Sequence, residues 1–361
     1  MQKKFTTHWL KPFFIAILII LCAGSMKAAA PISTDIKKET YAYDGNLYLD
    51  RYYCTNFSGS QANIKEKSPV MIFMFGGAFY TGSRDRKDYI PYFHYLAEHG
   101  IQVFSIDYRL GLKPFVDKMQ GNTTEQDFPT AVNNGRSQGK LAVAKQMIGL
   151  MEKSIDMAVE DLYKATAYII SNAEKWNIDT ALIMTSGSSA GAITALQAEY
   201  YLSNQFTDES AGEDEHTLPT KYLPSGFKYG GVISFAGAIL NLHSKMKWDK
   251  TPAPIMFFHG NADSNVPYNR IWTPMGCFNG SKYISKKLSK MDAPHYLYTY
   301  EEANHSIAVT PMLQNLPEIL GFIEDFVYSG KKYITNTIVE QPFAPELKKR
   351  LRIKDYIKAN L

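Results

Sequence analysis

Apolar and polar positions change their period repeatedly along this chain. VMIFMF (70–75) is a short, unbroken apolar run, the pattern of a strand buried on both faces, and ALIMTSG (181–187) and PIMFFHG (254–260) are further strand-like segments rich in apolar residues. LYLDRYY (47–53), IQVFSIDYRL (101–110), YGGVISFAGAI (229–239) and PHYLYTYEEA (294–303) also have strand composition. Between them, apolar residues recur three and four apart. This happens in PYFHYLAEHG, which Gly100 closes, in SIDMAVEDLYKATAYIISNAEKW (154–176), from about Ala190 onward, and from Pro311 to Tyr328. Strands alternating with helices predict an α/β fold, a mostly parallel sheet of about eight strands with helices on both faces. One such domain accounts for residues 31–330.

Two connections are long. Residues 111–150 leave a strand and so start at the carboxyl edge of the sheet, where open α/β sheets bind ligands. That placement predicts a lid-like insertion, with Phe115, Met119 and Phe128 lining a pocket. Residues 201–228 enter a strand, so the acidic loop Asp208–Glu215 is expected far from any site.

The first thirty residues follow another pattern. Lys3, Lys4 and Lys11 precede the apolar run Phe13–Ala23, and Ala28-Ala29-Ala30 follow. A basic start, a short apolar stretch and a small-residue exit predict a signal peptide over 1–30, cleaved near Ala28 or Ala30. The run is shorter than the about 20 apolar residues that span a bilayer. A secreted or periplasmic protein follows, with a lipid anchor on Cys22 the weaker alternative because bulky Leu21 precedes it. The leader also changes the charge. The formal net charge is +4, but four of the 39 lysines and arginines lie in residues 1–30, leaving 35 against 35 acids. The remainder has no electrostatic footprint of a nucleic-acid binder. Beyond 330, Lys348, Lys349, Arg350, Arg352 and Lys354 read as one solvated helix face in a C-terminal extension, 331–361.

SGSSAGA (186–192) is the first chemical signal. Gly-x-Ser-x-Gly alone is weak, but here a strand enters it and a helix leaves it, the context of a nucleophile elbow with Ser189 at its apex. Serine needs a base, itself oriented by an acid, and in this topology acid and then histidine follow the serine, each just after a strand. His295 precedes its strand, whereas His305 in EEANHSI follows it. Asp263 in GNADSNVP follows the penultimate strand. Asp249 lies where a small cap could sit, and Glu301 and Glu302 are too close to the histidine along the chain. Donors for a developing oxyanion are available from backbone amides near FMFGGAFYTGS (73–83) and from Ala190.

In order, FGGAFYTGS, SIDYRLG, AVEDLYKATAYI, GSSAG, HGNADSNVP and ANHS resemble the carboxylesterase/lipase branch of the α/β-hydrolases over residues ~43–328. The resemblance implies the α/β-hydrolase fold and a serine esterase without cofactor or metal. It makes Ser189, Asp263 and His305 the catalytic triad and Gly77, Ala78 and Ala190 the oxyanion hole. Phe75 stands where many relatives have a histidine. The implied partner is a small-molecule or carbohydrate-linked ester, such as acetyl or feruloyl groups on plant polysaccharide, or a short-chain lipid. Amide or peptide hydrolysis by the same triad is the second reading, and a non-catalytic binding protein of this fold is the third. The family's strand order puts Cys54 and Cys277 several strands apart, beyond about 20 Å. A disulfide needs Cα atoms within about 7 Å, so the two are not expected to bond. Oligomeric state stays open.

Overall fold

The computed structural model describes residues 35–56, 67–121, 137–204, 220–242, 246–273, 276–340 and 356. In chain order the elements are β1 (Ile36–Asp44), β2 (Leu47–Cys54), β3 (Ser68–Met74), α1 (Ile90–Glu98), β4 (Gln102–Ile106), α2 (Lys113–Gly121) and α3 (Ser137–Ser171). There follow α4 (Ala173–Trp176), β5 (Ile178–Ser188), α5 (Ala190–Asn204), β6 (Gly231–Phe235), β7 (Ala238–Asn241) and β8 (Ile255–Gly260). The last are β9 (Arg270–Thr273), β10 (Gly276–Gly280), α6 (Ser281–Ser289), β11 (His295–Tyr300), α7 (Pro311–Gln314), α8 (Leu316–Phe322) and β12 (Ile334–Val339).

Nine strands form the main sheet in the order β1-β2-β4-β3-β5-β6-β8-β11-β12. From β4 to β12 every pairing is parallel, while β1 and β2 join as an antiparallel pair at one edge. The chain passes from β3 outward to β4 and then crosses back to place β5 on the other side of β3. The carboxyl ends of β3 and β5 therefore diverge at a topological switch point, where a cleft opens in sheets of this kind.

The apolar runs are strands buried on both faces, as β3, β6 and β8 show. Register partners Phe235, Phe258 and Tyr298 stack across β6, β8 and β11, with centroids 5.4 and 5.1 Å apart. Cross-strand aromatic pairs of this sort lock register. Helix α5 is buried along nearly its whole length, between the sheet and α3.

Among the described residues the main sheet has nine strands, in keeping with the expected sheet of about eight. Several expectations need correction. β1 was missed because IKKETYAYD is a polar, half-exposed edge strand without an apolar run. YGGVISFAGAI is two strands in different sheets, broken at Ala236, whose φ is +58°. β7 pairs with β10, and β10 in turn with β9, so β9 and β10, which follow Asp263 in the chain, complete a three-stranded sheet with β7. Residues 137–150 are not loop but the first turns of the 35-residue α3. Leu141, Ala144, Ile148, Met151 and Ile155 keep helical spacing there, although Gly149 obscures the signal. Residues 122–136, with Phe128, lie outside the described residues. Phe115 is half-buried on α2, and Met119 lies on the same helix. The boundary at 330 falls too early, since β12 pairs with β11. The helix expected over 311–328 is broken into α7, α8 and a π-helical turn at Ile323–Tyr328, with Pro317 in the first turn of α8. Residues 1–30, the acidic loop 208–215 and the basic positions 348–354 lie outside the described residues. Among the described residues, Cys54 and Cys277 are not bonded to each other.

Candidate active site

Ser189 stands between β5 and α5 with φ +52°, in the left-handed region that a non-glycine residue enters only under local constraint. Its flanking glycines are required by contact. A Cβ on Gly187 would lie 2.3 Å from the Gly191 carbonyl carbon, and one on Gly191 would lie 2.1 Å from the Met74 oxygen. The elbow is therefore wedged against the end of β3. Its N–H binds the Phe235 oxygen at 2.9 Å, which fixes the turn to β6. Ser188 donates to the Ala308 carbonyl at 2.8 Å and ties the elbow to the segment that carries His305.

The loop after β3 packs directly on the serine. A Cβ on Gly76 would meet that of Ser189 at 3.1 Å. Gly77 has φ +142°, and a Cβ there would lie 2.0 Å from the Thr81 oxygen, so only glycine fits. Ala78 and Phe79 also have positive φ, +51° and +60°. Residues so held cost on the order of 1–3 kcal/mol each and persist where the surroundings over-determine them. Phe75 stacks on Tyr108 at 4.5 Å, and Tyr108 donates to the Phe75 carbonyl at 2.7 Å. The amides of Gly77 and Ala78, which lie outside helices and strands, donate no backbone hydrogen bond among the described residues. Ala190 is the first residue of α5, whose positive dipole end favours negative charge.

His305 begins a short 3₁₀ turn capped by Asn304, whose side chain accepts from the Ser306 amide. Its Nε2 lies 2.8 Å from Ser189 Oγ and its Nδ1 lies 2.7 Å from Asp263 Oδ2. Because Nδ1 faces a carboxylate it carries the hydrogen, leaving Nε2 to accept the serine proton. Asp263 is fully buried. Its Oδ1 accepts from the amides of Asn265 and Val266 at 2.8 and 3.0 Å. Burial pushes this carboxyl toward the neutral form, but bonds from His259 and His305 outweigh that and hold its pKa well below the ordinary value.

His295 sits at the opposite end of β11, bonded to Ser285 and to the Ala293 carbonyl. Asp249 pairs with Lys247, the Glu302 amide bonds Asn261, and the Glu301 amide bonds the Val339 carbonyl. Of the acids weighed, Asp263 alone reaches His305 among the described residues. Ser188, Tyr108 and His259 escaped the sequence reading. His259 had a visible signal, since it stands four residues before Asp263 at the end of an apolar strand. Among the described residues no group of three or more His, Cys, Asp or Glu is placed to hold a metal ion. No helix there is long and apolar enough to cross a membrane.

Residues 22–133 match the model of the carboxylesterase family, and residues 119–244 match a model described as BD-FAE. No curated protein sequence matches significantly. Among solved structures the chain is similar to esterase 2 of the planctomycete Thermogutta terrifontis. The native structure shares 18% identity, with 84% of this chain and 97% of that one covered, at a TM-score of 0.50. The apo form also shares 18% identity, with 82% and 97% covered, at 0.50. That likeness carries the fold. The two family models each match less than half of the chain, as a likeness to carboxylesterases over those stretches.

Proposed function

We propose that the protein is a serine esterase working through an acyl-enzyme on Ser189. The observation that carries this reading is the hydrogen-bonded line Ser189–His305–Asp263 at a strained elbow. Ser189 Oγ attacks the ester carbonyl carbon while His305 Nε2 takes its proton, and the carbonyl π electrons move to oxygen. The amides of Gly77, Ala78 and Ala190 receive that oxyanion, at the positive end of α5. Collapse expels the alkoxide, which takes the proton from Nε2, and water then repeats both steps to release the acid and restore Ser189. Asp263 keeps its charge throughout and stabilises the imidazolium.

The leader pattern of residues 1–30 supports export, so the esters are those met outside the cytoplasm. Acetyl or hydroxycinnamoyl groups on polysaccharide and short-chain lipids are the classes proposed. Rapid mixing with p-nitrophenyl acetate tests the acyl-enzyme: a nitrophenol burst of one equivalent per chain, followed by slower turnover, is the expected record. Hydrolysis absent from p-nitrophenyl esters, methyl ferulate and acetylated xylan alike, but present on p-nitroanilides, would replace the ester reading with an amidase.

A further inference from the structure

His259 ends β8 four residues before Asp263 and is fully buried. Its Nε2 lies 3.2 Å from the Val266 carbonyl oxygen and 3.4 Å from Asp263 Oδ2. A ring nitrogen facing two oxygen acceptors carries hydrogen. Its Nδ1 lies 2.7 Å from Ser281 Oγ, at the first turn of α6, and Tyr268 packs edge-on against the ring at 5.6 Å. Val266 is thus held twice, its amide by Asp263 Oδ1 and its carbonyl by the imidazole.

From this juxtaposition we propose that His259 is a positioning residue, which fixes the Asp263 carboxylate so that Oδ2 points at His305. The turn 263–266 is otherwise held to Asp263 through Oδ1 alone, and rotation about the carboxyl bond would move Oδ2 off the His305 Nδ1–H. Next in sequence, Gly260 abuts the histidine loop: a Cβ there would lie 2.2 Å from the Ala303 oxygen. One short stretch, His259-Gly260, therefore sets the acid and the approach of the loop bearing the base. The inference rests on the triad reading above.

The test compares His259→Asn, His259→Gln and Ser281→Ala on p-nitrophenyl acetate, with wild type and Ser189→Ala as references. Glutamine can place an N–H where Nε2 stands, and asparagine cannot. His259→Asn should lose at least ~10-fold in kcat with KM little changed, since displacing a group by about 1 Å costs up to ~10²-fold. His259→Gln should recover most of the loss, and Ser281→Ala should fall between wild type and His259→Asn. Equal kcat in folded His259→Asn and wild type would overturn the proposal. So would equal losses in His259→Asn and His259→Gln with Ser281→Ala unaffected, because that pattern marks packing rather than hydrogen bonding. Should His259→Asn fail to fold, the Gln and Ser281→Ala comparison decides alone. A wild type no more active than Ser189→Ala would sink the triad reading itself, which distinguishes the two failures.

Discussion

Four donors converge on Asp263: two amides on Oδ1, His305 and the more distant His259 on Oδ2. A carboxylate can accept all of them, and an amide cannot. Asp263→Asn would set its NH₂ against N–H groups and favour the His305 tautomer with hydrogen on Nε2, facing Ser189. Turnover should fall at least ~10²-fold with KM nearly unchanged, as steady-state kinetics on p-nitrophenyl acetate would show. Sequence order alone pointed to this acid, because strand ends and their succession can be read from apolar runs. His259 could not be assigned that way, since a histidine ending an apolar strand reads equally as core. A second buried acid sits on α5. Glu199 accepts from Ser203 and from the Ala253 amide, and burial pushes its pKa up to about 7, against 4.5 for the ordinary group. Between these values the folded state holds a proton that the unfolded chain releases. Stability therefore falls as pH rises from about 4.5 to 7, by a loss on the order of 3 kcal/mol at most. Glu199→Gln should flatten that slope in urea melts at pH 5 and pH 8.

Helix α3 shows how an element's start is lost to a single residue. Gly149, a poor helix former, sits beside an intact apolar spacing and hides it, yet a Cβ at that position would meet nothing within 4 Å. Gly149→Ala should stabilise the protein by about 0.5–1 kcal/mol, read as a higher denaturation midpoint. At the other end of the sheet, ITNTIV is too short and too exposed to stand out from a basic tail, and its strand character emerges only by pairing with β11. Ending the chain after Gly330 would leave β11 as a bare edge rich in tyrosine. That truncation should lower the melting temperature and raise aggregation. A truncated protein as stable and soluble as the full chain would show β12 to be dispensable.

For the whole molecule, α/β class, mostly parallel strands and the elbow were legible because buried parallel strands are written as apolar runs. The small sheet β7-β10-β9 was not, because its strands are four or five residues long and two of them are bounded by glycines, at 237 before β7 and at 276 and 280 at the ends of β10. The same alternation put β3 and β5 side by side, and with them the Gly76–Ala78 loop and Ser189 at one switch point. On the proposed reading, that topology presents Ser189 as the nucleophile. Incubating the protein with a fluorophosphonate and mapping the adduct by peptide mass spectrometry tests it most directly. One equivalent of adduct on Ser189, loss of esterase activity in step with labelling, and neither label nor activity in Ser189→Ala are expected. An adduct on another residue, or full ester hydrolysis by Ser189→Ala, would contradict it.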